Sequence, residues 1–268
     1  MTDTRDTFNR RELIHGASAL LTGATLVSAA ASAAGTPDVT MKDSAYPSPG
    51  AAVVAEDGTL LLGARRIPLP SGISPAAQAF LRTPRFEMGA RPPPDDKEAW
   101  RNWVLQRNQA LEPMTRQLLA MVGERASIET RSIDGVVVHV ATPAAPHPSR
   151  RQWLRITVHG GAFLYMGGDF ARAEAALVAL QTGCEAWSVD YRMPPDHPYP
   201  AAVDDVVEVY RAALAARTPG RIAISGASAG GNLAAAAVLK ARDLGLPLPG
   251  ALGLFTPECD LTESGDSF

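Results

Sequence analysis

The chain has 268 residues, 46% of them hydrophobic and 20% charged, with a formal net charge of -3. That balance excludes a disordered chain and gives no electrostatic reason to expect a nucleic-acid partner, since no dense Lys/Arg stripe overrides the acidic excess. The two cysteines, Cys184 and Cys259, lie in TGCEAW and TPECDL, without CxxC or Cys/His ligand spacing, and read as unpaired thiols.

Residues 1–34 include FNRRELIHGASALLTGATLVSAAASAAG: paired Arg10 and Arg11, a mildly apolar run from Leu13 to Val27, and a close of small residues that includes Ala31-Ser32-Ala33. Twin arginines before a weakly hydrophobic segment rich in Gly, Ala and Thr read as a Tat export signal. The expected location is periplasmic or secreted, and the segment is set aside from the fold. Beyond it, no stretch reaches the roughly 18 to 20 continuous apolar residues of a membrane span.

Residues 35–73, rich in Pro, Gly, Ser and Ala, read as a linker with one short extended piece around Thr59 to Ile67. SPAAQAFLRT then reads as a helix, with Ser74 as cap and Pro75 at its first position. After the triple proline Pro92 to Pro94, DDKEAWRNWVLQRNQALEPMTRQLLAMVG returns to helical spacing, interrupted at Pro113. With no strand signal between them, residues 74–122 form an expected helical cover.

From Ala126 to residue 268 strands and helices alternate. SIETRSID and VVVHVATP flank Gly135 as a candidate hairpin. WLRITVHGG, EAWSVDYR, RIAIS and GALGLFTP read as strands, separated by helices in DFARAEAALVALQTG, YPAAVDDVVEVYRAALAAR and AGGNLAAAAVLKARDLG. This alternation predicts an α/β fold: a mostly parallel sheet with helices on both faces. Active sites in such sheets form beyond the carboxyl ends of the strands. HGGAF, DYRMPPDHPYPAAVDD and SGASAGG all fall at such ends, far apart in sequence and expected to converge in space.

In GASAG, Gly226 and Gly230 bracket Ser228 in a GxSxG pattern with a strand before it and a helix after it. A nucleophile on such an elbow needs a strained backbone and small neighbours, which Ala227 and Ala229 supply. The helix N-terminus beside it favours a developing oxyanion. In HGGAF, Gly160 and Gly161, together with the amide of Ala229, form a candidate oxyanion hole, because backbone N–H groups aimed at that charge stabilise the tetrahedral state of acyl transfer. His159 reads as a residue that fixes the loop rather than a base. Phe163 and Tyr165 are candidate substrate-binding residues. Trp100 and Trp103 could line the same pocket, although core packing is the plainer role for them.

HGGAF, VDYRMPPDHPYPAAVDD, SGASAGGNLAA and TPECDLTESGDS together resemble the hormone-sensitive-lipase branch of the α/β-hydrolases, the bacterial type IV esterases and lipases, from Ala126 to the last residue. The resemblance implies that residues 74–122 form the N-terminal cap. It also implies a small-molecule ester as substrate, attack by Ser228 to give an acyl-serine, and no cofactor or metal. Tyr191, Arg192, Asp204 and Asp205 are then scaffold. Two positions depart from the family pattern: Ala162 replaces the third glycine of HGGG, and Ala227 the acidic residue before the nucleophile.

In this family the triad runs in the order Ser, Asp or Glu, His. The five histidines, His15, His139, His147, His159 and His197, all precede Ser228, and no acid or base can be assigned; Glu258 and Asp260 lie too early in the fold. The expectation is a C-terminally truncated carboxylesterase with little activity as it stands. The alternative is a non-catalytic small-ligand binder on the same scaffold. Lactonase or peptidase chemistry, the identity of the ester and the oligomeric state stay open.

Overall fold

A computed structural model of the chain describes residues 52–54, 56, 58, 60–62, 68–82 and 91–262. The export-signal reading at 1–34 and much of the linker at 35–73 lie outside the described residues. The described residues divide into two compact units, one holding those up to residue 82 and one holding those from residue 91 onward. The expected helical region 74–122 is therefore shared between the two.

In the first unit, strands β1 (Ala52–Val54) and β2 (Leu60–Leu62) pair antiparallel. Only part of the extended piece expected at 59–67 is described as strand, and its partner was hidden in Pro/Gly-rich composition. Helix α1 (Pro75–Leu81) starts as its sequence implies: Ser74 Oγ accepts from the Ala77 amide at 3.2 Å, and Pro75 occupies the first turn, where an N–H is not needed.

The second unit opens with α2 (Lys97–Val122), capped by Asp96, whose side chain accepts from the Ala99 amide at 2.9 Å. Pro113 does not interrupt it. The helix runs through, and only Met114, Thr115 and Val122 are buried, so it lies on the surface for most of its length.

Strands β3 (Ala126–Ile133) and β4 (Val136–Pro143) form the expected hairpin. Its turn, Asp134-Gly135, has φ of 49° and 86°, the positive pair that a two-residue hairpin turn requires. There follow β5 (Leu154–Val158), α3 (Asp169–Thr182), β6 (Glu185–Asp190), α4 (Ala201–Ala216), β7 (Ile222–Ala227), α5 (Ala229–Asp243) and β8 (Ala251–Phe255). The six strands lie in the order β3-β4-β6-β5-β7-β8. The last four are parallel and β3-β4-β6 antiparallel, so the α/β fold has the mostly parallel sheet that was expected.

Side-chain alternation divides the core between the two sheet faces. Val138, Ile156, Val189 and Ile224 point to one face, where α4 and α5 bury them with Val206, Tyr210 and Leu233. Ala141 and Ala186 point to the other, against Ala175, Ala176 and Ala179 of α3 and Val122 of α2. Alanine there lets helix and sheet approach closely.

Pairing register aligns Thr130, His139, Ser188, Thr157 and Ser225 in one row across β3, β4, β6, β5 and β7 on the α3 face. All but Thr130 are buried, and Glu174 of α3 is buried against Thr157 and Ser188. Strand β8 is the outer strand, with Leu252, Leu254 and Phe255 exposed.

Candidate active site

Because β6, β5 and β7 are parallel neighbours in register, with Val158 opposite both Val189 and Gly226, their carboxyl ends share one edge of the sheet. The chain leaves β5 toward β6 and then crosses back over β5 to β7, which places the switch in strand order at these ends. The three motifs meet there.

Ser228 joins β7 to α5 with φ 54° and ψ −124°, a conformation that L side chains rarely adopt. Its amide donates to the Phe255 carbonyl of β8 at 3.0 Å, and its carbonyl accepts from Gly231 at 2.9 Å, so the elbow is held from both sides. The residue is exposed, and its hydroxyl has no hydrogen-bond partner among the described residues. Ala229, the first residue of α5, is buried, and its amide belongs to the first helical turn, whose N–H groups lack intrahelical acceptors.

The glycine loop lies against this elbow. A Cβ on Gly160 would stand 3.1 Å from the Ala227 carbonyl oxygen and 3.7 Å from Ser228 Cβ. Gly161, at φ 98°, leaves no room for a side chain, since a Cβ there would fall 2.0 Å from the Tyr165 carbonyl oxygen. The carbonyl of Gly161 accepts from the amides of Leu164 and Tyr165, and the loop turns at Ala162, Phe163 and Met166, all with positive φ.

A family model for the α/β hydrolase fold matches residues 155–268. An acetyl-hydrolase from Streptomyces hygroscopicus is 35% identical over 136 residues, 50% of this chain and 46% of that protein. An esterase from Acinetobacter venetianus is 33% identical over 159 residues, 59% of this chain and 52% of its own. Among solved structures, an esterase is similar at 34% identity with a TM-score of 0.68, covering 77% of this chain and 63% of that one. Another, an esterase of the bacterial hormone-sensitive lipase family, is similar at 28% identity with a TM-score of 0.52, covering 70% and 56%. The chain has the α/β-hydrolase fold and is similar to esterases of the hormone-sensitive-lipase type. It spans about half the length of the curated relatives it matches.

Around the elbow, this α/β-hydrolase fold builds a support from the DYR segment. His159 is fully buried; its Nδ1 lies 2.8 Å from the Gly160 carbonyl oxygen and therefore carries the proton, and its ring stacks on Tyr191 with centroids 4.1 Å apart. Burial lowers the His159 pKa to about 4, so the imidazole is neutral. Tyr191 donates its hydroxyl to the His159 carbonyl at 2.9 Å. Burial opposes ionisation of Asp190, but hydrogen bonding to His139 and to the Gly168 amide keeps its pKa below the usual carboxylate range. Arg192 binds the buried Asp205 carboxylate through its backbone amide and its guanidinium, and Lys240 pairs with Asp204.

None of the four described histidines bonds to Ser228: His139 lies between Thr130 and Asp190, His147 meets Ser149, His159 is spent on its loop, and His197 is exposed. Glu258 approaches the elbow through its backbone, its amide donating to the Ser228 carbonyl at 3.4 Å. Among the described residues no group of His, Cys, Asp and Glu could hold a metal ion, and no helix is long and apolar enough to cross a membrane.

The candidate substrate residues separate. Phe163 packs against the main core, whereas Tyr165 meets Trp103 of α2 edge-on at 6.1 Å. Trp103 meets Trp100 at 5.6 Å, and Arg107 lies 4.6 Å over the Trp103 ring. Both tryptophans are half-buried and belong to neither core cluster, which corrects the core role favoured for them from sequence. A cleft of about 680 Å³ opens between α2 and residues 167–170, walled by Asn108, Thr115, Phe170, Asp190 and Met193 but not by Ser228. Asp190 opens the DYR motif that the sequence placed at a strand end beside the site, whereas Asn108 was missed by sequence reasoning, because nothing in the spacing of α2 marks it.

Proposed function

We propose that the chain is a serine carboxylic-ester hydrolase for short to medium acyl esters, working through an acyl-serine without cofactor or metal. The observation that carries this reading is Ser228, exposed and unbonded on a strained elbow at the head of α5, with the Gly160 backbone against it. Its hydroxyl oxygen attacks the ester carbonyl carbon, and the carbonyl oxygen takes up the negative charge facing the amides of Gly160, Gly161 and Ala229. Collapse breaks the bond to the alkoxide, which leaves as alcohol with the serine's proton. Water then attacks the acyl carbonyl, releases the acid and restores the hydroxyl. Phe163 and Tyr165 bound the acyl side.

That proton needs a carrier, and the described residues offer Ser228 none. We therefore expect slow turnover from the 268-residue chain. On the twin-arginine segment we assign the protein to the periplasm or the exterior. The second reading is a small-ligand binder on the same scaffold.

The test is incubation with p-nitrophenyl butyrate, followed by intact-protein mass spectrometry. The expected result is slow nitrophenol release and one butyryl adduct on Ser228, both lost in Ser228→Ala. Release unchanged in Ser228→Ala overturns the esterase reading, and saturable ligand binding without any adduct replaces it with the binder. Turnover above roughly 1 s⁻¹, in the ordinary enzyme range, overturns the expectation of weak activity.

A further inference from the structure

We infer that Asn108 is a positioning residue that holds the oxyanion loop in place from α2. The geometry stands by itself; its catalytic consequence rests on the esterase reading above.

The loop from Gly160 to Gly168 has positive φ at Gly161, Ala162, Phe163, Met166 and Gly168. Three of these are not glycine, and a backbone in that region persists only where its surroundings hold it. At the start of the loop, Tyr191 donates to the His159 and Gly160 carbonyls. At its end, the Gly168 amide donates to Asp190 at 2.9 Å. The bonds to the Gly161 carbonyl are internal and travel with the loop.

Between these two anchors, the central arc is tied to the rest of the fold, among the described residues, by one hydrogen bond: the Met166 amide donates to Asn108 Oδ1 at 3.1 Å. An amide N–H can only donate, which fixes the orientation of the Asn108 side chain. The adjacent residue, Tyr165, is the one whose ring meets Trp103 of the same helix. Helix α2 thus grips two consecutive loop residues, one through the backbone and one through an aromatic edge. Since the Tyr165 carbonyl fills the space beside Gly161, a displacement at 165–166 reaches the Gly161 amide directly.

An aspartate at 108 keeps an acceptor oxygen; a leucine keeps the volume and removes it. The experiment uses the full chain as wild type, Asn108→Asp, Asn108→Leu and, should the leucine variant not fold, Asn108→Ala. Amide hydrogen exchange is followed by mass spectrometry on peptides covering 160–168, alongside the rate at which a fluorophosphonate labels Ser228. Expected is about tenfold faster exchange confined to 160–168 in Asn108→Leu, with wild-type protection in Asn108→Asp. Labelling should slow by about tenfold in the leucine variant only, a partial loss of the roughly 10²- to 10³-fold that one oxyanion donor is worth.

Wild-type exchange and labelling in Asn108→Leu overturn the inference, as does faster exchange spread over α2 and the sheet, which marks a general loss of stability. If wild type takes no label, it is the esterase reading that fails, and protection in Asn108→Asp against exchange in Asn108→Leu still decides whether Asn108 holds the loop.

Discussion

Gly226 and Gly230 face each other across the turn that carries Ser228: a Cβ on Gly226 would stand 2.2 Å from the Gly230 carbonyl oxygen. A Cβ on Gly230 would lie 1.9 Å from the Val158 carbonyl oxygen, so the elbow is wedged against the end of β5 by backbone alone. Backbone cannot move aside as a flexible side chain can, and overpacking of this severity costs about 3 kcal/mol or more. Gly230→Ala is expected to lower the urea midpoint sharply or to prevent soluble expression; a midpoint equal to wild type would show that the elbow can widen.

The strain at Ser228 predicts the opposite sign for one substitution. A non-glycine residue at φ 54° and ψ −124° stores of order 1–3 kcal/mol, which glycine relieves. Ser228→Gly should raise the melting temperature while abolishing covalent labelling, and Ser228→Ala should abolish labelling without that gain. Equal melting temperatures for the two variants would locate no strain at this residue.

Glu174 and His159 make opposing contributions to pH dependence. Burial raises the Glu174 pKa from 4.5 to about 7, so its contribution to stability is complete below pH 4.5 and falls as pH rises toward 7, by about 3 kcal/mol. Burial lowers the His159 pKa from 6.5 to about 4, so its contribution is complete above pH 6.5 and falls, by a similar amount, as pH drops toward 4. Between roughly pH 4.5 and 6.5 these two slopes cancel. Glu174→Gln should unmask a stability that climbs with pH across that window, read from urea midpoints at pH 4.5, 5.5 and 6.5. A variant as flat as wild type would mean that neither Glu174 nor His159 titrates away from its ordinary range.

Asp205 is 1% exposed and accepts both the Arg192 amide and its guanidinium. Removing the carboxylate in Asp205→Ala leaves that amide without its acceptor and should cost about 2–3 kcal/mol, since hydrogen bonds to charged groups are worth about 1.5–3 kcal/mol. Asp205→Asn should cost less, because its oxygen still serves the amide. The pair of midpoints checks this, and equal losses would make the charge, not the acceptor, the important property.

The alternation of strands and helices from Ala126 was legible because each strand is a short apolar run and each helix a longer one closed by glycine or charge, as at Gly183. The turn at Ser228 was legible for a similar reason: a side chain at Gly226 or Gly230 would strike backbone, and that requirement writes itself into the sequence. Pro113 misled because proline propensity is local, whereas α2 is kept helical on both sides of it. The tryptophans misled because size suggests burial, while Trp100 and Trp103 lie half-exposed on a surface helix. Asn108 was illegible in principle: its partner is a backbone amide 58 residues away, and a backbone amide has no residue type to betray it.

The buried row of His139, Ser188, Thr157 and Ser225 beneath Glu174 has a consequence for how the strands find one another. Apolar strands such as β5, β6 and β7 offer nearly equivalent pairings at neighbouring offsets. A slip of one residue, however, turns every side chain to the opposite face. It would present valine or isoleucine to the Glu174 carboxyl and send a hydroxyl into the valine-rich side. The row thus acts as an alignment mark, penalising every misregistered sheet in proportion to the number of strands out of step.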